Sequence, residues 1–140
     1  MAIDDVELHL RQEFAVHRWD LVGDDDEGDE LLARPELLDH SVRILADSLL
    51  RVGRTRDPLA GEPFSTRIRA GGLPDLLVGV DDGGCRLELV DATGAEADVE
   101  CDAAARLLLL WGRRPASARR VRTRLDAAGL ARLEVMLSGF

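Results

Sequence analysis

FSTRIRAGGLPDLLVGVDDGGCRLELVDATGAEADVEC, residues 64–101, decides the fold. Four short runs, Phe64 to Arg69, Leu76 to Val80, Cys85 to Val90 and Glu96 to Cys101, are separated by Gly71-Gly72, Asp81-Asp82-Gly83-Gly84 and Ala92-Thr93-Gly94. Runs of this length divided by Gly- and Asp-rich connections read as strands joined by hairpin-type turns, so the stretch predicts an antiparallel meander. Directly after it, Asp102 is placed to cap a short helix from Ala103 to Trp111, closed by Gly112. Its Leu107 to Trp111 run is apolar on every side, which requires burial. Beyond Pro115, Val121, Thr123 and Leu125 alternate with Arg120, Arg122 and Arg124, the period of a fifth strand. Asp126 is placed to cap a last helix carrying Leu130, Leu133 and Leu137.

Toward the N-terminus the period changes from two to 3.6. Ile3, Val6, Leu10, Phe14, His17 and Leu21 form one apolar stripe on a helix from about Asp4 to Leu21, ending at Gly23. A second helix starts at Pro35 and carries Leu38, Val42, Leu45, Leu49 and Val52, with Gly53 as its C-terminal cap. Between them, the acidic run Asp24 to Glu30 reads as a solvated loop, because packing it would bury like charges together. It does not read as a calcium loop: Gly28 falls fifth from Asp24 where an EF-hand needs its Gly sixth, and Pro35 stands where the twelfth-position Glu belongs. Arg54 to Pro63, with Asp57-Pro58, Gly61 and Pro63, connects the helical segment to the β-rich remainder. The expectation is an α+β fold in one domain spanning 1–140: a helical segment over 1–53 and an α+β core over 64–140. Two N-terminal helices precede an antiparallel sheet of about five strands, with two further helices.

A length of 140 residues suffices for one core, and 46% hydrophobic with 32% charged residues is ordinary for a globular chain. All 18 basic residues are arginine, and the formal charge of −9 repels nucleic acid and anionic membrane. Aromatics make up 4% and no nucleic-acid motif occurs, so neither partner is expected. Met1 is followed by Ala-Ile-Asp-Asp, no apolar run approaches a membrane span, and a cytoplasmic protein is expected. Cys85 and Cys101 lack CxxC spacing and read as small core residues. Phosphate-cradling GxGxxG and GxxxxGK[ST] loops and a GxSxG elbow are absent, which removes several enzyme classes.

His9, Glu13 and His17 are the one constellation suited to catalysis or metal binding, since residues four apart share a helix face. His9 and His17 lie about 12 Å apart along the axis, whereas zinc holds its ligands at about 2 Å, so one ion does not readily use all three. A metal on Glu13 and His17 needs His40, a symmetry-related helix or another protein to complete it; the plain alternative is a carboxylate and an imidazole that simply pair. A second candidate is the cluster Arg113, Arg114, Arg119, Arg120, Arg122 and Arg124, able to grip an anion or to pair with surface carboxylates.

Glu13-Phe14-Ala15-Val16-His17-Arg18-Trp19-Asp20-Leu21 together with Ala105-Arg106-Leu107-Leu108-Leu109-Leu110-Trp111-Gly112-Arg113-Arg114 resembles the C-terminal part of mycothiol-dependent maleylpyruvate isomerase-like proteins. The resemblance implies a last helix of a four-helix bundle followed by a sterol-carrier-like α+β domain. It implies that Glu13 and His17 contribute to a zinc site, that mycothiol is the thiol cofactor, and that Arg113 meets the substrate. The rest of the family's bundle, with its other zinc-ligand His, has no counterpart in this sequence. Three functions follow: a small-molecule-binding or accessory domain for an anionic or apolar ligand, not catalytic alone; a zinc- and thiol-dependent isomerase or transferase acting on a small dicarboxylate; and an interaction module whose apolar helix stripes are covered by a homodimer mate or a separate helical-bundle protein.

Overall fold

Two apolar faces compete for the core on the first helix, and the less hydrophobic one wins. The computed structural model describes residues 3–52, 62–82, 84–92 and 94–137. Helix α1 (Ile3–Val22) turns Gln12, Ala15, Val16 and half-buried Trp19 inward. Val6, Leu10, Phe14 and Leu21, members of the sequence stripe, face water. Periodicity locates an apolar face but does not say what covers it. Small Ala15 and Val16 let α1 approach its neighbours closely, and Trp19 Nε1 and Gln12 Oε1 find partners while buried Gln12 Nε2 has none among the described residues. Trp19 Nε1 donates to Asp24 Oδ1 (2.8 Å), and Ser41 Oγ donates toward buried Gln12 Oε1 (2.9 Å).

The acidic run is not a solvated loop. Asp26–Leu32 is a helix, α2, capped by Asp25, whose carboxylate accepts the Gly28 N–H at 2.7 Å. Its like charges are tolerated because arginines from outside the run neutralise them: Arg18 forks onto Asp25 (2.6 and 2.7 Å) and reaches Glu27 (2.9 Å). A Cβ on Gly28 would stand 2.7 Å from Asp25 Oδ1 and 2.8 Å from Arg18 Nη1, so a larger residue here would push the ends of that ion pair aside. Helix α3 (Pro35–Val52) runs as the sequence indicates and buries Leu37, Leu38, His40, Ser41 and Leu45. Gly53 and the connector over 54–61 lie outside the described residues.

Five strands follow, β1 (Phe64–Ala70), β2 (Asp75–Asp81), β3 (Gly84–Val90), β4 (Val99–Cys101) and β5 (Val121–Thr123). They form one sheet in the order β3-β2-β1-β4-β5. The expected meander is correct for β1 to β3, where Thr66 opposes Val78 and Val78 opposes Leu87. It fails at β4, which lies parallel to β1, with Ile68 opposite Val99, so the sheet is mixed. The segment from Asp91 to Asp98 is too long for a tight hairpin and carries the chain back across the sheet. Asp98 fastens the crossing: its carboxylate accepts the Arg67 N–H (2.8 Å) and its own N–H donates to the Arg67 carbonyl (2.9 Å).

Thr66, Ile68, Ala70, Leu76, Val78, Leu87 and Val99 are buried under the helices. On the opposite face, Arg67 and Arg69 flank Asp75. Helix α4 (Ala103–Leu110) is the core helix, with Leu107, Leu108 and Leu110 wholly buried and Asp102 capping it at Ala105 N. Even Arg106 is enclosed, its Nη1 donating to the Pro74 carbonyl. Gly112, at φ 70°, takes the left-handed turn that ends α4 and lets Arg113 N–H close back on Leu108 O at 2.8 Å. A single 3₁₀ turn (Ala118–Arg120) leads into β5, and α5 (Ala127–Leu137) closes the chain by burying Leu133, Met136 and Leu137. One cluster of buried side chains runs from α1 to α5.

Candidate functional site

Helix spacing puts Glu13, His17 and Asp20 in a row along α1, and the Gly112 turn brings Arg113 to its end. Arg113 forks onto Asp20, Nε to Oδ1 at 2.7 Å and Nη2 to Oδ2 at 2.8 Å, while its Nη1 donates to the Trp111 carbonyl. Asp20 Oδ2 lies 3.0 Å from His17 Nδ1, and Glu13 Oε2 lies 3.3 Å from His17 Nε2. The three residues singled out in the sequence, Glu13, His17 and Arg113, therefore belong to one chain of contacts, joined by Asp20, which sequence reasoning did not pick. Its only signal was the i,i+3 relation to His17. The Arg113 guanidinium, outweighing the effect of burial, holds the Asp20 carboxyl below the usual carboxylate range.

This row limits what a metal could find. The two carboxylates approach opposite nitrogens of His17, so an ion on either nitrogen meets one carboxylate, and zinc needs three or four ligands. Among the described residues no group of three His, Cys, Asp or Glu side chains could hold a metal. His40 does not complete the set. It faces His9 instead, Nε2 to Nδ1 at 3.4 Å, where α3 packs on α1. Burial, Arg43 and His9 all lower the His40 pKa, as suits an imidazole kept neutral inside the helix pair.

The arginine cluster does not converge. Arg114 pairs with Glu134, Arg122 with Glu100 and Arg124 with Glu96, while Arg120 reaches Asp24, Asp29 and Asp102. These guanidiniums pair with separate carboxylates rather than forming one anion clamp, and of these four only Arg120 is sheltered from solvent. The same pairing gives the acidic run its role, since Asp24, Asp25 and Asp29 are each bonded to an arginine.

Between α4, the 3₁₀ turn, β5 and α5 opens a cleft of about 580 Å³. Val99, Leu109, Val121, Leu130, Leu133 and Leu137 wall it, and Arg113, Arg114, Ser117, Thr123 and Glu134 supply the polar groups of its lining. Its size and apolar walls suit a small organic ligand. Sequence periodicity marked Leu130, Leu133 and Leu137 as core, but nothing local showed that they would stand apart from β5 and leave a space. No helix among the described residues is long and apolar enough to cross a membrane.

Cys85 is buried and Cys101 half-buried. Burial pushes the Cys101 thiol up to about 12, so it is not a nucleophile at neutral pH. Iodoacetamide at pH 8 is expected to label Cys101 at least about a hundredfold more slowly in the folded protein than in urea; equal rates would contradict the buried thiol.

Comparison of the chain with protein-family models and with curated proteins gives no match.

Proposed function

We propose that this chain is a small-molecule-binding or accessory domain that takes a compact, mainly apolar ligand in the cleft between α4, β5 and α5. The observation that carries the reading is the cleft itself, apolar-walled and about 580 Å³, with its charged groups among the polar lining residues. Because Arg113 and Arg114 are already engaged by Asp20 and Glu134, an anionic ligand would have to displace a carboxylate. An uncharged acyl or aromatic body with one polar end is favoured over a dicarboxylate. In this reading the chain is akin to the sterol-carrier-like C-terminal domain of the mycothiol-dependent maleylpyruvate isomerases.

A thermal-stability screen over acyl compounds, thiols and dicarboxylates tests it. A ligand at a hundred times its dissociation constant adds about 2.7 kcal/mol, a shift of several degrees, and the acyl compounds are expected to produce it. Leu130→Trp, which fills the cleft from its half-buried wall, is expected to abolish that shift while the unliganded protein stays folded and loses about 1–3 kcal/mol at most. A flat response across the whole panel sinks the proposal.

A second reading is supported by the row that joins Glu13, His17 and Arg113, the residues a zinc- and thiol-dependent isomerase acting on a small dicarboxylate would use. Glu13 and His17 are two donors, fewer than zinc requires, so a further ligand would have to come from outside the described residues. Stoichiometric zinc in the purified protein, lost in Glu13→Gln and His17→Gln, would favour this reading. Metal-free protein inert toward maleylpyruvate with mycothiol would end it.

A further inference from the structure

We propose that the outer face of α1 is the docking surface for a second copy of this chain, the two helices lying parallel about a two-fold axis. Every exposed large hydrophobic side chain among the described residues, Val6, Leu10, Phe14, Leu21 and Val22, belongs to this one helix. Val6, Leu10, Phe14 and Leu21 recur at four- and seven-residue steps with His17 between them, which makes a continuous seam directly opposite the Ala15, Val16 and Trp19 face. Leu10 is 62% exposed, Phe14 64% and Leu21 88%. A helix of this length is about 30 Å long, and a stripe along it exposes several hundred Å², the order of the ~800 Å² that each partner contributes to a standard interface.

The edges of the seam say what covers it. One edge carries Glu7, Arg11 and Arg18, and the other carries His9, Glu13 and Asp20. In parallel two-fold pairing, each helix sets one edge against the opposite edge of its mate. Arg11 then opposes Glu13 at an offset of two residues, while Arg18, Asp20 and His9 are held within each protomer by Asp25, Arg113 and His40. Antiparallel pairing lays each edge against itself, which sets Glu7 against an arginine of the mate but gathers Glu13 and Asp20 with their own copies. Arg11 and Glu13 matter most, because their side chains are 58% and 39% exposed and can reach across. A chain of formal charge −9 repels its own copies in general, so self-association requires such a locally matched surface. His17 fits the same register: with helices parallel and level, it meets its own copy and not a leucine, the way a lone polar seam residue fixes alignment in coiled coils.

Light scattering coupled to size exclusion, on the full chain from micromolar to submillimolar concentration, is expected to show a dimer. Leu10→Asp combined with Phe14→Asp is expected to give a monomer with unchanged circular dichroism, since both side chains already touch water. Arg11→Glu is expected to weaken the dimer about tenfold, and adding Glu13→Arg to restore it. Leu10→Cys is expected to cross-link to the same position of its mate on mild oxidation, which a parallel level pair permits and an antiparallel one does not. A wild-type monomer at every concentration overturns the proposal, as does a dimer indifferent to the two aspartates or one that Leu10→Cys fails to link. A monomer that instead binds phosphatidylcholine vesicles through this face overturns it as well.

Discussion

An Asp75→Ala variant is expected to unfold in urea with about 2–4 kcal/mol less free energy than the parent, among the largest single-site effects in this protein. The Asp75 side chain has no exposed surface and accepts from Arg69 Nε (3.0 Å), Arg69 Nη2 (2.7 Å) and Arg67 Nη1 (2.9 Å). Removing the carboxylate leaves two guanidiniums side by side on one face of the sheet. Their side chains are 18% and 28% exposed and can swing partly into water, so the loss falls below the full 3–5 kcal/mol of breaking a wholly buried pair. The acid limb of the stability curve supplies a second readout. Arg69 first, then Arg67, hold the Asp75 carboxyl below its ordinary value against the opposing effect of burial. A depressed folded-state pKa means that the contribution is complete above the unfolded value near 3.9 and is lost as pH falls below about 4. The parent should therefore lose stability between pH 5 and pH 2 more steeply than Asp75→Ala, and equal slopes would show that the ionised carboxylate is not what the arginines require.

Arg120→Ala is expected to cost about 2–3 kcal/mol and to loosen α2 specifically. The guanidinium is 15% exposed and forks onto Asp102 (2.8 and 2.8 Å), with Asp29 at 2.9 Å and Asp24 at 3.3 Å. Asp102 caps α4, Asp29 lies in α2, and Asp24 sits at the α1–α2 junction, so one side chain ties three helices to the start of β5. Without it the three carboxylates face each other unneutralised. Hydrogen exchange should quicken over 26–32 while the β1–β2 amides keep the protection that the lower global stability allows. Uniform acceleration would mean that Arg120 does not act as the α2 tie. Arg120→Lys is not expected to rescue, because a single ammonium cannot fork onto carboxylates in three directions.

The two variants also mark the limit of what local reading reaches. Asp75, just outside the Leu76 to Val80 run, drew no reading from the sequence, Arg120 looked like one of six clustered cations, and Asp24 to Glu30 like solvent-facing charge. Each takes its role from partners between six and ninety-odd residues away, which no period or spacing encodes. In the site, helix spacing was enough to pair Glu13 with His17. Asp20 and Arg113 are 93 residues apart and meet only because α4 ends on the Gly112 turn beside α1.

Sequence by itself determined every helix but α2 and the approximate strand segments, the caps at Asp102 and Asp126, the burial of Leu107, Leu108 and Leu110, and the α+β class, because each follows from local periodicity and from which backbone groups a nearby side chain can satisfy. Tertiary structure alone decided that β4 lies parallel to β1, that the acidic run folds as α2, and that a cleft opens beneath α5. It also turned the most apolar stripe of α1 outward. These outcomes are set by long-range competition, strand against strand for one sheet edge, arginine against arginine for each carboxylate, and one helix face against the other for the core. Such competition is settled by the packing of the whole chain.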